Sequence, residues 1–423
     1  MTRISRRAVW RLTVAPLFLW LAGCSPEQGA ASAGGAPGSP AVPTQRDSAG
    51  VAILEYPPDV AQRVPQWTVD TNPIAIIGDD PDGSDDVTHV STPLLLSGGI
   101  VIVWLGDEAR LAAFGPDGAE RWHLGQRGQG PTDFGFVDQI FAVGDTAFIP
   151  DFGNDRLAMV SAAGAWIGSV RGLQSCGPEP VEGRFPDGSL LAGSYLRYPA
   201  LPVTDTIMRL PSPVLRIGTD ICDTLVLAPG PEMNVVAFRP RGRSQTTPRF
   251  VRYGRNSVSA LWDSLVALGT GERYQIDLLD QTGRVMKSLR LDWTPETTPE
   301  GALDSVIGRD LERLHGVGER SLDPAESERL IREETYVSAK LPPYYYFKTS
   351  TDGTLWVMDG WAPGIPERTA LAFADDGTIQ ARLHLPSRFL PMAFGSDRVL
   401  TRVEDPETGV VTFRVLRMRP AKQ

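Results

Sequence analysis

One pattern of apolar positions recurs along the chain: an apolar residue, a second three positions on, a glycine four after that, and another apolar residue six beyond the glycine. It occurs as Leu111-Phe114-Gly118-Leu124, Leu157-Val160-Gly164-Val170, Ile276-Leu279-Gly283-Leu289 and Ala370-Phe373-Gly377-Leu383. Each window predicts a strand, a tight turn with glycine where positive φ is needed, and a returning strand. A second set of turns precedes several of these hairpins: Gly98-Gly99, Pro186-Asp187-Gly188-Ser189, Asp352-Gly353-Thr354 and Gly395-Ser396-Asp397. The second set joins the first two strands of a four-stranded unit, and the first set joins the last two. The interval of 46 residues between Gly118 and Gly164 is the spacing of a β-propeller and not of a sandwich. The longer interval from Gly164 to Gly283 requires a degenerate unit over about 186–227, and the interval from Gly283 to Gly377 requires an insertion.

Helical periodicity is confined to that insertion. Thr298-Pro299 is a good N-cap and first-turn pair, and Leu303, Val306, Ile307, Leu311 and Leu314 follow at helical spacing. Asp323-Pro324-Ala325-Glu326 opens a second helix with a capping-box arrangement. The expectation is an all-β, six-bladed β-propeller over 51–423, interrupted by a helical hairpin over 299–338. A strand near 66–77 is available to close the ring against a last unit at about 394–418.

The N-terminus carries a different pattern. Arg3, Arg6, Arg7 and Arg11 precede a short apolar stretch that ends in Leu21-Ala22-Gly23-Cys24. This resembles a bacterial lipoprotein signal over 1–23, with Cys24 as the acylated residue. The apolar core, about seven residues, is too short for a spanning helix, which needs roughly 20. The resemblance implies export and a lipid anchor, with Ser25 after the cysteine implying transfer to the outer membrane and a periplasmic or surface-facing domain. Residues 24–50 are Gly, Ala, Ser and Pro with almost no large apolar side chain. They read as a disordered tether with an r.m.s. span of about 27 Å.

A second resemblance is carried by Gly125-Gln126-Arg127-Gly128-Gln129-Gly130-Pro131-Thr132-Asp133-Phe134 and Asp151-Phe152-Gly153-Asn154-Asp155-Arg156-Leu157. The first looks like the Gly-rich inter-blade loop of bacterial six-bladed propellers related to the NHL-repeat group. The second is similar to their Asp, Asn, Arg strand signature. Thr132-Asp133 replaces the usual Gly-Glu, and the Asn-x-Arg pattern is clear in one unit only. These motifs imply blade construction and name no activity.

Composition narrows the chemistry. Loss of the signal removes four arginines and no acids, so the formal charge moves from −10 to −14, which argues against nucleic acid as a partner. Only His89, His123, His315 and His384 are present, so a three-histidine centre would need nearly all of them. His123 and His384 fall on outer strands, leaving His89 as the one channel candidate. Asp80, Asp82 and Asp85 lie in an acidic stretch that could recruit Ca²⁺, although its spacing fits a solvated turn as well. Cys176 and Cys222 are either a disulfide, favoured by an oxidising compartment, or two buried thiols. No Gly-x-Ser-x-Gly elbow or phosphate loop is present.

The aromatic residues Tyr344, Tyr345, Trp356 and Trp361, beside the insertion, are candidates for a binding patch, with packing between blades as the competing role. The reading is a lipid-anchored, non-enzymatic propeller with no cofactor that binds a protein, peptide or glycan at the cell envelope. The alternative is a metal-dependent hydrolase or lactonase acting at the channel.

Overall fold

The structure, a computed structural model, describes residues 38–78, 87, 90, 92–173, 180–193, 204–238, 245–316 and 323–421. It is mostly β, with strands gathered into five hydrogen-bonded sheets, and its architecture is propeller-like. Two sheets are simple four-stranded meanders, one running from Leu94–Leu95 to Glu120–Leu124 and the next from Phe141–Val143 to Trp166–Arg171. A third sheet starts at Val181–Arg184 and a fourth at Val258–Trp262. The largest contains two meanders, Tyr344–Thr349 to Ile379–Pro386 and Leu390–Phe394 to Val411–Pro420, joined through Gln66–Val69.

All eight glycine-marked turns fall where the pattern predicts. Gly118, Gly164, Gly283 and Gly377 each sit between paired antiparallel strands at positive φ. Within each meander, burial depends on strand position. Val101–Leu105 is buried throughout, whereas Glu120–Leu124 has no buried residue. Central strands have sheets packed on both faces and so lose the two-residue alternation, whereas outer strands meet water. Aromatic side chains fill the spaces between meanders: Trp356 stacks on Phe394 with ring centroids 4.5 Å apart, and Tyr344 meets Tyr274 edge-on at 5.5 Å.

Both early strands pair with the C-terminal region. Gln66–Val69 lies between Ile379–Pro386, to which it is parallel, and Val411–Pro420, to which it is antiparallel. Ala75–Ile77 pairs with Phe413 to Val415 on the same last strand. Between the two preceding strands and this pair lies α1 (Val60–Arg63).

Three expectations need correction. The tether does not extend to residue 50. Gly38 N donates to Arg63 O at 2.8 Å, and Thr44–Ser48 pairs with Val51–Glu55, which adds in parallel to Val285–Arg290. Every residue of Thr44–Ser48 is exposed. An edge strand held by its backbone ladder leaves no apolar signal to read; Ala49 and Gly50, both at positive φ, form its turn.

The degenerate unit is also larger than 186–227. Thr204–Gly218 and Ile221–Phe238 form a long hairpin, of which only Leu215 to Ile217 pair with the sheet's second strand, Leu190–Ala192. The rest stands beyond the sheet, joined by Gln245–Phe250.

The third correction concerns the insertion. Its two helices are α2 (Ala302–Gly316) and α3 (Pro324–Glu334). Asp323 caps α3 by accepting from Glu326 N. Thr298 caps nothing: its hydroxyl is buried without a partner, and α2 begins three residues after Pro299. Ala302 packs against Leu341 and Ala362, with Tyr253, Val337 and Ile365 around them. Arg252 links the long hairpin's sheet to the insertion through Tyr336 O at 2.7 Å and Asp310 at 3.1 Å.

Candidate functional site

The Gly-rich loop and the Asp, Asn, Arg signature form one structural clasp. Asp151 is fully buried, and its carboxylate accepts from Gly135 N at 3.0 Å, Asn154 N at 3.2 Å and Asn154 Nδ2 at 2.7 Å. Arg156 donates to Asp151 at 3.3 Å and to the loop carbonyls of Gly130 at 3.2 Å, Pro131 at 2.8 Å and Asp133. Its guanidinium also lies 5.3 Å from the Trp166 ring. A Cβ on Gly153 would come within 2.3 Å of Phe136 N, so backbone meets backbone there and only glycine fits. The motif's donors and acceptors are spent on the loop, so it is a joint and not a ligand site.

The innermost strands enclose a cavity of about 940 Å³. Leu94–Leu95, Phe141–Val143, Val181–Arg184, Val258–Trp262, Tyr344–Thr349 and Leu390–Phe394 all contribute to its wall, and a volume of this size falls in the range of small-molecule sites. The wall is largely apolar, with Phe141, Tyr345, Tyr346, Phe347 and Phe394 as its aromatic residues. Its charged residues, among those described, are Glu182, Arg184, Asp263 and Lys348.

Three of the sheets supply a polar cluster. Ser259 Oγ donates to Glu182 Oε2 at 2.5 Å. Burial pushes the Glu182 carboxyl up to about 7, against the Ser259 hydrogen bond and the Lys348 charge, which both pull it down. Burial likewise holds the Lys348 ammonium below the ordinary lysine range, opposed by the Glu182 charge. The two charges sense each other without an ion pair, and Lys348 Nζ has no hydrogen-bond partner among the described residues. Asp359 is also raised by burial, but Thr369 at 2.6 Å, Tyr274 at 3.3 Å and Arg382 at 3.3 Å satisfy it. It is not part of the cavity wall.

The four aromatic candidates separate. Tyr344 and Trp356 are core residues, 2% and 3% exposed; they fill the spaces on either side of one meander, so neither can present a binding surface. Tyr345, 54% exposed, lines the channel. Trp361 lies outside the cavity wall, with the Arg368 guanidinium 3.5 Å from its ring and its Nε1 donating to Ile365 O.

His123 and His384 are on outer strands, paired with Glu120 and with Glu367 and Gln66. Asp80, Asp82, Asp85, His89, Cys24 and Cys176 lie outside the described residues. Cys222 is disulfide-bonded. Among the described residues no three His, Cys, Asp or Glu side chains converge as a metal site, and no helix is long and apolar enough to cross a membrane. Glu182, Ser259 and Lys348 went unread in the sequence. Their strands, Val181–Arg184, Val258–Trp262 and Tyr344–Thr349, share no local pattern that marks these three positions.

No family model and no curated protein matches this chain. Among solved structures it is similar to a member of the DUF4221 family from Bacteroides vulgatus at 8% identity, covering 84% of this chain and 99% of that one, with a TM-score of 0.42. The PQQ-bound aldose sugar dehydrogenase from Streptomyces coelicolor matches at 14% identity, 84% and 100% coverage and a TM-score of 0.37. Virginiamycin B lyase from Staphylococcus aureus matches at 8%, with 78% and 95% coverage and a TM-score of 0.34. Likeness at this level bears on neither ligand nor activity, and the architecture rests on the strand pairing described above.

Proposed function

We propose that this chain is an exported protein, anchored by lipid at Cys24, whose six-bladed propeller binds a peptide, glycan or protein segment of the cell envelope in its central channel without catalysing a reaction. Six innermost strands and a helical pair inserted between the fourth and fifth meanders match that design. The observation that carries the binding role is the cavity of about 940 Å³, walled by aromatic side chains and holding one small polar cluster. Apolar walls with a few fixed polar groups are the general form of a binding site.

Purified protein should retain members of either a pool of N-acetylated tetrapeptides or a pool of neutral oligosaccharides in equilibrium dialysis read by mass spectrometry. Ser259→Trp, which fills the channel, should abolish retention. Equal retention by the two proteins, or release of hydrolysed products with one tightly held metal ion per chain, would overturn this reading. Cys24→Ala should release the protein from the membrane fraction, and unchanged membrane retention would count against the anchor.

A further inference from the structure

Lys348 presents an ammonium to the channel with three donor positions, none of which meets an acceptor among the described residues. Glu182 uses Oε2 to accept from Ser259 and keeps Oε1 free. Lys348 is half-buried, and the wall around it is largely apolar. Water entering the channel can meet the ammonium, but an acceptor of opposite charge makes the stronger, charge-assisted hydrogen bond.

The other charges of the wall decide which anion fits. Arg184 shares a strand with Glu182, and its guanidinium lies 5.6 Å from the Phe148 ring, turned to the packing between sheets. Asp263 is exposed in the turn after Val258–Trp262. The segments at 92–95, 139–144 and 390–394 bring no charged group, and Tyr344–Thr349 adds only the phenols of Tyr345 and Tyr346 beside Lys348. The Tyr346 hydroxyl is engaged with Pro391 O. The single cation facing the channel balances one negative charge, so the wall suits a monoanion. Apolar and aromatic wall on all other sides suits an apolar or aromatic body behind the anionic group.

We infer that the channel takes a ligand bearing a single carboxylate, such as the free C-terminus of a short peptide, with the carboxylate on Lys348 Nζ and Glu182 Oε1 beside it. This rests on the channel-binding reading above and adds the chemistry of what enters. Ionisation of Glu182 places a negative charge beside the bound carboxylate, so affinity falls as pH rises through about 7.

N-acetylphenylalanine and its neutral C-terminal amide are matched probes, read by isothermal titration or by ligand-observed NMR between pH 5.5 and 8.5. The carboxylate is expected to bind about tenfold tighter than the amide at pH 6, the scale of one partly desolvated charge pair. Lys348→Met should remove that preference. Glu182→Gln should keep the preference and flatten its pH dependence. Equal binding of the two probes, or a preference that survives Lys348→Met, overturns the inference while leaving channel binding intact. Binding of neither probe at millimolar concentration overturns it too, and the channel reading then stands or falls on the pool experiment. Circular dichroism of each variant separates loss of binding from loss of fold.

Discussion

The Arg156 clasp allows a stability change to be worked from its contacts. Arg156→Met keeps most of the side-chain length and removes the charge and the fork. The variant leaves Asp151, fully buried, without its cation, and removes the Arg156 donors from the carbonyls of Gly130, Pro131 and Asp133, of which Gly130 O keeps the Asp133 N–H. Removing one partner of a buried ion pair costs about 3–5 kcal/mol. Asp151 keeps the N–H groups of Gly135 and Asn154 and the Asn154 amide, which places the expected loss in the lower half, about 3–4 kcal/mol.

Unfolding entropy of about 2.1 cal/mol/K per residue over roughly 380 residues gives about 0.8 kcal/mol/K, so Tm should fall by about 4–5 °C. Arg156→Lys should recover less than half of this, since one ammonium cannot reach acceptors spread around a planar fork. Differential scanning calorimetry measures the shift. A shift below about 1 °C, or a lysine variant as stable as the parent, would refute the assignment of the motif as a joint.

The remaining predictions concern titration, covalent linkage and closure. Glu182 has a folded pKa raised to about 7 from an unfolded value near 4.5, so its folded form holds the proton longer; its contribution is fully present below about 4.5 and is lost as pH rises through about 7. Glu182→Gln should therefore flatten the decline of Tm with pH across that window, and an unchanged Tm–pH curve would show that Glu182 is solvated. Cys222 is disulfide-bonded, and we propose Cys176 as its partner: Cys176→Ser should expose one additional free thiol in denatured, unreduced protein, whereas no new thiol would exclude that pairing. Deleting 390–421 should unfold the entire domain cooperatively, because it removes one of the two partners of Gln66–Val69 and the partner of Ala75–Ile77; a truncated protein that melted as late and as sharply as the parent would exclude ring closure.

What could be read from the sequence was what local geometry forces. Gly118, Gly164, Gly283 and Gly377 occupy positive-φ positions that few other residues tolerate, and the strands they join follow from the apolar positions on either side. Asp323 reads as a cap because its carboxylate has one local use, the N–H of Glu326. Thr298 failed as a cap because its own N–H is tied to Ala339 O, 41 positions away, and the helix starts only at Ala302.

Thr44–Ser48 and the outer half of the Thr204–Gly218 hairpin are held by backbone ladders and so leave little trace in side-chain pattern. The aromatic candidates divided for a related reason: Tyr344 and Tyr345 are adjacent, and successive strand residues face opposite ways, which puts one in the core and the other in the channel. Glu182, Ser259 and Lys348 are separated by up to 166 positions in the chain, and only closure of the strands around the cavity brings them together.

The pairing of Gln66–Val69 with Val411–Pro420 also constrains when this molecule can fold. A strand made among the first is held by the last one made, so the native ring cannot exist until residue 420 has been synthesised. Contacts this distant in sequence carry a high loop-closure entropy and form slowly. Until then the chain is at most an open string of meanders, each with unpaired edges.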